Sequence, residues 1–255
     1  MSILFFLTAH YYKLFYVNIV CMKNVALILA SGTGSRFGSD CPKQFVSIYD
    51  KCILQYTLER FQENDKIDDI YIVTNKEYVD TVEKLSDKYS KVVKVVSGGK
   101  TRKDSSYNGI SAIDYAECNV LIHDGVRPLV SDEIINNCIK ELETKSAVCT
   151  VIDSTDTVYE TDDDNRIVNI PKRKNIKRAQ TPQCFKLSLI KEAHNLAKKD
   201  IGCEVTDDCG LIMMYGLSPI YTIKGSEQNI KITYPGDIEY AKKYLSKDMK
   251  FQQKT

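Results

Sequence analysis

From Lys23 onward the chain alternates between short β-branched apolar runs and longer stretches whose apolar residues recur at helical spacing. The strand-like runs are VALILA (25–30), IYIVT (70–74), VVKVV (92–96), VLIH (120–123) and AVCTVI (147–152). Between them, segments near 52–64, 76–90, 103–117 and 131–144 place apolar residues at i, i+3 and i+4, which gives each helix one face to bury. Strand and helix in such regular alternation predict an α/β fold: a Rossmann-like, mostly parallel sheet covered on both faces. No internal repeat or low-complexity linker interrupts the pattern. Residues 22–248 are therefore expected to form a single domain, with 249–255 as a tail.

The segment DTVYETDDDNRIVNIP (156–171) departs from the alternation. Two β-like runs flank the turn-forming TDDDN, which predicts a hairpin. Inserted in a parallel domain, it is expected to project as an arm near 155–173, and its less polar flanks suit contact with a second subunit. RAQTPQCF (178–185) and EVTDDCGLIMMYG (204–216) read as polar turns leading into helices. Lys231 falls inside a short β-like run, and Pro235 opens the last helix.

The first 21 residues are apolar and aromatic, but His10, Lys13 and Asn18 interrupt them. They have neither the basic start of a secretory signal nor a clean span of about 20 apolar residues. Met22 stands directly before the first strand, so residues 1–21 are read as an extension from a start assigned too far upstream, with an interfacial helix as the alternative.

Charge narrows the partners. Lys and Arg number 35 against 34 Asp and Glu, so no global field attracts a nucleic acid or an anionic membrane, and neither is expected as a partner. The basic cluster KRKNIKR (172–178) lacks interleaved aromatics. Nine cysteines are scattered without a CxxC pair, and the three histidines make no zinc spacing with them, which points to a reduced cytoplasmic protein.

The candidate chemistry lies at strand ends. In LILASGTGSRFG (27–38), Gly32, Gly34 and Gly38 give GxGxxxG, one residue too long for the dinucleotide fingerprint, and no GK[ST] follows to make a P-loop. Small residues still let backbone N–H groups approach phosphates, and Arg36 supplies a planar cation. PKQF (42–45) adds Lys43. SGGKTRKDS (97–105) brings a glycine pair suited to close approach of a base, with Ser105 opening the next helix. LIHDGVRP (121–128) sets Asp124 at the end of a buried strand, where a carboxylate can hold Mg2+ against phosphates. Taken singly, each motif is equally a turn, a helix cap or a solvated charge.

Together and in this order, LASGTGSRFG, PKQF, GGKTRKDS, HDGVRP, QTPQ, TDD and NIKIT resemble the CTP-dependent polyol-phosphate cytidylyltransferases, over residues 23 to about 245. The resemblance implies a sheet of the nucleotidyltransferase type and transfer of CMP from CTP to a polyol phosphate, with release of pyrophosphate. It implies that Arg36, Lys43 and Lys231 are catalytic cations. Ala30, Ser31, Gly32, Gly34, Gly99, Arg102 and Ser105 would receive CTP, and Asp124 would help hold Mg2+. Thr157 and Arg173 on the arm would meet the acceptor phosphate in a homodimer that exchanges arms. Ser31 stands where many relatives have alanine or glycine, Lys100 where some have an acid, and Glu227 near a second metal-supporting acid. HDGVRP, IPKR and GSEQNIK point to D-ribitol 5-phosphate as acceptor, with 2-C-methyl-D-erythritol 4-phosphate, the isoprenoid precursor, as the alternative.

Two rival classes fit less well. An NAD(P)-dependent reductase would need GxGxxG and commonly a Tyr-x-x-x-Lys pair, which Tyr240-Ala-Lys-Lys does not provide. A non-catalytic nucleotide-binding module would be expected to lack Arg36, Lys43 or Lys231, and all three are present.

Overall fold

The computed structural model describes residues 22–32, 37 and 41–252, with side chains up to 246. The expectations for residues 1–21, and for Gly34, Arg36 and Gly38 of the glycine loop, lie outside the described residues.

In chain order the elements are β1 (Asn24–Ala30), β2 (Ser47–Ile48), β3 (Lys51–Cys52), α1 (Ile53–Glu63), β4 (Asp69–Thr74), α2 (Val79–Ser86), β5 (Val92–Ser97), α3 (Arg102–Ser111) and β6 (Asn119–Asp124). There follow α4 (Asp132–Glu141), β7 (Ala147–Asp153), β8 (Glu160–Thr161), β9 (Ile167–Asn169), β10 (Lys177–Lys186), α5 (Leu187–Lys199), α6 (Asp208–Met214), β11 (Tyr221–Lys224) and α7 (Gly236–Gln252). Seven strands form the main sheet in the order β11-β7-β10-β6-β1-β4-β5. All pair in parallel except β10, which runs antiparallel to both β6 and β7.

The five sequence-read strands are therefore all present, and the alternation of their side chains explains the layers. Ala26, Ile28 and Ala30 of β1 join Leu54 and Phe61 of α1 and Ile135 of α4 on one face. Val25, Leu27 and Leu29 join Ile110 of α3, Ile190 of α5 and Leu211 of α6 on the other. Burying one such side chain contributes about 1.5–3 kcal/mol. A third, smaller cluster gathers Ile48, Ile53, Tyr56, Val126, Ile232 and Leu245, and fastens α7 beside the ends of β1 and β6.

Three expectations need correction. RAQTPQCF is no turn: it lies within the ten-residue strand β10. A proline in a central strand cannot donate to the ladder, and the pairing with β7 shifts register between Ala179 and Gln183 to pass Pro182. Lys231 is outside any strand. Its run keeps the two-residue alternation, with Ile230 and Ile232 turned into the third cluster, but Ile232 N donates to Val126 O at 2.9 Å instead of joining the sheet. Helix α3 stops at Ser111, well before 117, and the chain turns back into β6 with the Tyr115 hydroxyl bonded to Asp69.

The arm forms as read. Strands β8 and β9 pair antiparallel. In their turn Asp162 Oδ1 accepts from the backbone N–H of Asp164 (3.1 Å) and Arg166 (2.9 Å), while Asn165 takes φ 61°. Val158, Tyr159, Ile167, Val168 and Ile170 are left exposed on it.

Candidate active site

After β5 the chain crosses back over β1 to place β6 on its other side, so β1 and β6 flank the point where the strand order reverses. Ligands of open α/β sheets settle beyond the strand ends at such a point. Here a cleft of about 340 Å3 opens between the end of β1, the end of β6, the turn before α3, the Lys43–Gln44 turn and Lys231.

One wall is backbone. Ser31 Oγ donates to Ser105 Oγ at 2.8 Å, and Ser105 Oγ in turn donates to Thr101 O (2.9 Å) and accepts from Gly99 N (3.1 Å). This locks the β1 loop to the first turn of α3. Thr101, not Ser105, opens the helix: its Oγ1 accepts from Asp104 N, and Asp104 Oδ2 accepts from Thr101 N, both at 3.1 Å. The glycine pair is a packing necessity. A Cβ on Gly98 would stand 2.8 Å from Ser31 Cβ, and one on Gly99 2.2 Å from Asp104 Cβ. The first turn of α3 thus lines the cleft. Gln44 Nε2 donates to Ala30 O at 2.7 Å, which pins the PKQF turn to β1 and delivers Lys43 to the cleft.

The opposite wall is charged and centres on Asp124, the last residue of β6. Its Oδ2 accepts from Arg127 Nε at 3.2 Å and lies 3.0 Å from Lys231 Nζ. Its Oδ1 faces Arg102 Nε at 3.9 Å, beyond hydrogen-bond reach. Burial works against the carboxylate charge, but Lys231, Arg102 and Arg127 outweigh it and hold the Asp124 carboxyl far below the ordinary range. Arg102 is held from behind by Asp208 at 2.7 Å. Arg127 is also fixed through its NH1, which donates to Asn229 O at 2.8 Å.

Behind Asp124, His123 is buried against Phe61. Its Nε2 lies 3.2 Å from Arg127 O, an acceptor only, so Nε2 carries the proton and Nδ1 accepts from the Thr181 hydroxyl at 3.0 Å. Thr181 Oγ1 accepts in turn from Asp124 N at 3.1 Å, so this chain of bonds fixes the end of β6. Burial pushes the imidazole down from 6.5 to about 4, against the pull of Arg127 O and Asp124. Between those values the unfolded chain binds more protons. The stabilisation is therefore complete above about pH 6.5 and falls as pH drops to about 4, by roughly 3 kcal/mol. Urea midpoints measured from pH 7 to pH 4.5 are expected to fall, and to fall less in His123→Gln. An equal slope in the variant would contradict this assignment.

The structure thus brings together Ala30, Ser31, Gly32, Lys43, Gly99, Arg102, Ser105, Asp124 and Lys231 around one cleft. Thr157 and Arg173 stand elsewhere, exposed at the arm, where Arg173 NH2 donates to Thr157 Oγ1 at 3.1 Å. The sequence reading missed Arg127 and Asp208. Both lie inside the quoted motifs, HDGVRP and TDD, but nothing in a linear pattern says that an arginine three residues past Asp124 turns back onto it, or that residue 208 reaches residue 102.

The donor set fits a divalent cation bound in the manner of magnesium. Among the described residues no group of three or more His, Cys, Asp or Glu side chains could cage an ion. Asp124 offers one carboxylate oxygen that no described residue hydrogen-bonds, which suits an ion whose shell phosphates and water complete. No described helix is long and apolar enough to cross a membrane.

Cations crowd this cleft in a chain of net charge +1, an arrangement suited to polyphosphate, and on this sheet it is that of a nucleotidyltransferase. The chain belongs to the 2-C-methyl-D-erythritol 4-phosphate cytidylyltransferase (IspD) family, whose sequence model matches residues 24–247. It is 40% identical over 228 residues to the enzyme of that name from Clostridium botulinum, covering 88% of this chain and 98% of that one. It is also 40% identical over 227 residues to a bifunctional ribulose 5-phosphate reductase/CDP-ribitol pyrophosphorylase of Haemophilus influenzae, covering 87% of this chain and 48% of that one. The crystal structure of 4-diphosphocytidyl-2C-methyl-D-erythritol synthase from Anaerococcus prevotii superposes with a TM-score of 0.79 at 32% identity, over 88% of this chain and 99% of that one. The chain is a cytidylyltransferase acting on a polyol phosphate.

Proposed function

We propose that the acceptor is 2-C-methyl-D-erythritol 4-phosphate and the product its CDP derivative. The family match, the C. botulinum relative and the A. prevotii structure all carry that acceptor in their names, which favours it over the ribitol 5-phosphate drawn from HDGVRP, IPKR and GSEQNIK. Ribitol 5-phosphate stays as the second reading because the H. influenzae relative matches at the same identity.

The observation that carries the mechanism is the ring of Lys231, Arg127 and Arg102 about Asp124, set across the cleft from the glycine-lined wall. A phosphate oxygen of the acceptor forms a bond to the α-phosphorus of CTP, the bond from that phosphorus to the β-phosphate oxygen breaks, and pyrophosphate leaves. No covalent intermediate with the protein is required, so the side chains act by positioning and by stabilising charge. Ala30, Ser31, Gly32, Gly34, Gly99 and Ser105 receive the cytidine and the near phosphates, with Arg102 beside them. Arg36 and Lys43 hold the triphosphate, and Lys231 reaches the α-phosphate from the opposite wall. Asp124 would hold Mg2+, which when bound neutralises phosphate charge.

Thr157 and Arg173 lie on an arm with five exposed large apolar residues. In our reading two copies pair through these arms, and each arm presents Arg173 to the acceptor phosphate in the other copy's site. Arg173→Ala is then expected to raise the acceptor KM about 10- to 100-fold, with CTP binding and kcat little changed. Weakened CTP binding alone would place Arg173 in the other subsite. Competition between the two acceptors in one reaction tests the main reading: it predicts at least about tenfold higher kcat/KM for the methylerythritol phosphate. The reverse ratio would make the ribitol reading correct.

A further inference from the structure

Asp124 is used unevenly. Its Oδ2 is occupied by Lys231 (3.0 Å) and Arg127 (3.2 Å), whereas among the described residues none hydrogen-bonds Oδ1, which the guanidinium of Arg102 faces at 3.9 Å. A shift of about 1 Å would turn that approach into a charge-assisted hydrogen bond of ordinary length. What prevents it is the second carboxylate on Arg102's other side. Asp208 Oδ2 takes Arg102 NH1 at 2.7 Å, and Asp208 cannot follow the arginine forward. Its Oδ1 accepts from Ser106 Oγ at 2.5 Å and lies 3.2 Å from His194 Nε2, and its backbone N–H donates to Gln183 Oε1 at 3.2 Å. The side chain is 1% exposed. Although burial opposes its charge, Arg102, His194 and Ser106 hold the Asp208 carboxyl down at about 2, so it competes for the guanidinium as a full anion. Arg102 itself starts at a fixed backbone position, the first residue of α3 behind the Thr101–Asp104 capping box.

We propose that Asp208 is a positioning residue that draws the Arg102 guanidinium back from Asp124 and so keeps Asp124 Oδ1 open to a divalent cation. The idea rests on the reading of Asp124 as the cation's ligand. Asp208 touches no substrate in this scheme. It acts through Arg102, and the buried bonds from Ser106, His194 and Gln183 hold Asp208 in that place.

The test measures the ion directly, with Mn2+ as probe. Water-proton relaxation is followed as Mn2+ is added to enzyme carrying CTP and no acceptor, with CTP saturating for each variant, so that bound ion is read without turnover. Asp208→Asn releases Arg102 onto Asp124 and is expected to raise the Mn2+ concentration for half-saturation at least about tenfold, the loss of one charge-assisted contact. Adding Arg102→Met to that variant removes the intruding cation and is expected to restore half-saturation to within about threefold of wild type. Equal Mn2+ affinity in wild type and Asp208→Asn, or a double variant as weak as Asp208→Asn, would overturn the proposal. A merely structural Asp208 gives the second of these results. Should Asp208→Asn not fold, Arg102→Met alone decides: unchanged or tighter Mn2+ binding supports the proposal, and a tenfold loss makes Arg102 an aid to the ion and overturns it. A wild-type enzyme that binds no Mn2+ with CTP would remove the reading of Asp124 itself, a failure distinct from either variant result.

Discussion

Lys231→Ala is expected to lower kcat by roughly 10²- to 10³-fold, the size of effect seen when a donor to a developing oxyanion is removed. The ammonium carries three donors and spends one on Asp124 Oδ2 at 3.0 Å. Its side chain is 38% exposed and lines the cleft, which leaves the remaining donors for the phosphoryl group that the proposed reaction transfers. The fold is expected to tolerate the change. Arg127 still covers the same carboxylate oxygen at 3.2 Å, and a pair with one partner this exposed is worth about 1 kcal/mol or less. Loss of turnover with a preserved urea midpoint would therefore separate chemistry from unfolding. Lys231→Arg is expected to recover little, because a planar fork cannot take the place of a compact ammonium. Turnover within about threefold of wild type for the alanine variant would reject the role.

Asp124→Asn is expected to be more damaging, because one charge serves three cations. Its loss leaves Arg127 buried, its side chain bonded to Asn229 O at 2.8 Å and with no anion of the described residues against it. Breaking a buried pair from one side costs about 3 kcal/mol. The carboxylate that would hold the cation also goes, and Lys231 loses the charge that aligns it. Activity is expected to fall by at least about 10³-fold, with a lower urea midpoint. The two losses differ in kind, so both are measured on the same preparation. A variant that keeps both its midpoint and its turnover would show that Asp124 is an ordinary strand end.

The α/β architecture was legible because short apolar runs, richest in β-branched residues at β4, β5 and β7, alternate with helices such as α1 and α4 that carry unambiguous apolar faces. Strand β10 was not. Its polar QTPQ centre lies fully buried, where Gln180, Thr181 and Gln183 spend their polar atoms on Ser226, His123 and Asp207, and burial of that kind cannot be inferred from residue type. The edge strand β11 was missed for the opposite reason: three of its four residues are exposed and Ile223 alone is buried, which gives little periodic signal. Among the site residues, those that follow a strand in sequence were readable, since Ser31, Gly99 and Asp124 all sit where chain direction alone predicts a ligand. Long-range pairings were not, and the contact of Arg102 with Asp208 spans 106 positions. The choice of acceptor was read from three short segments, whereas the names of the matched family and of most of the relatives favour the other acceptor.

The most direct test of the account is release of pyrophosphate by the purified protein given CTP, Mg2+ and 2-C-methyl-D-erythritol 4-phosphate. The account predicts release matched one to one by formation of the CDP-linked product, none without the acceptor, and no initial burst. Pyrophosphate released from CTP in the absence of acceptor, or CTP bound tightly and left intact in the presence of every polyol phosphate supplied, would contradict it.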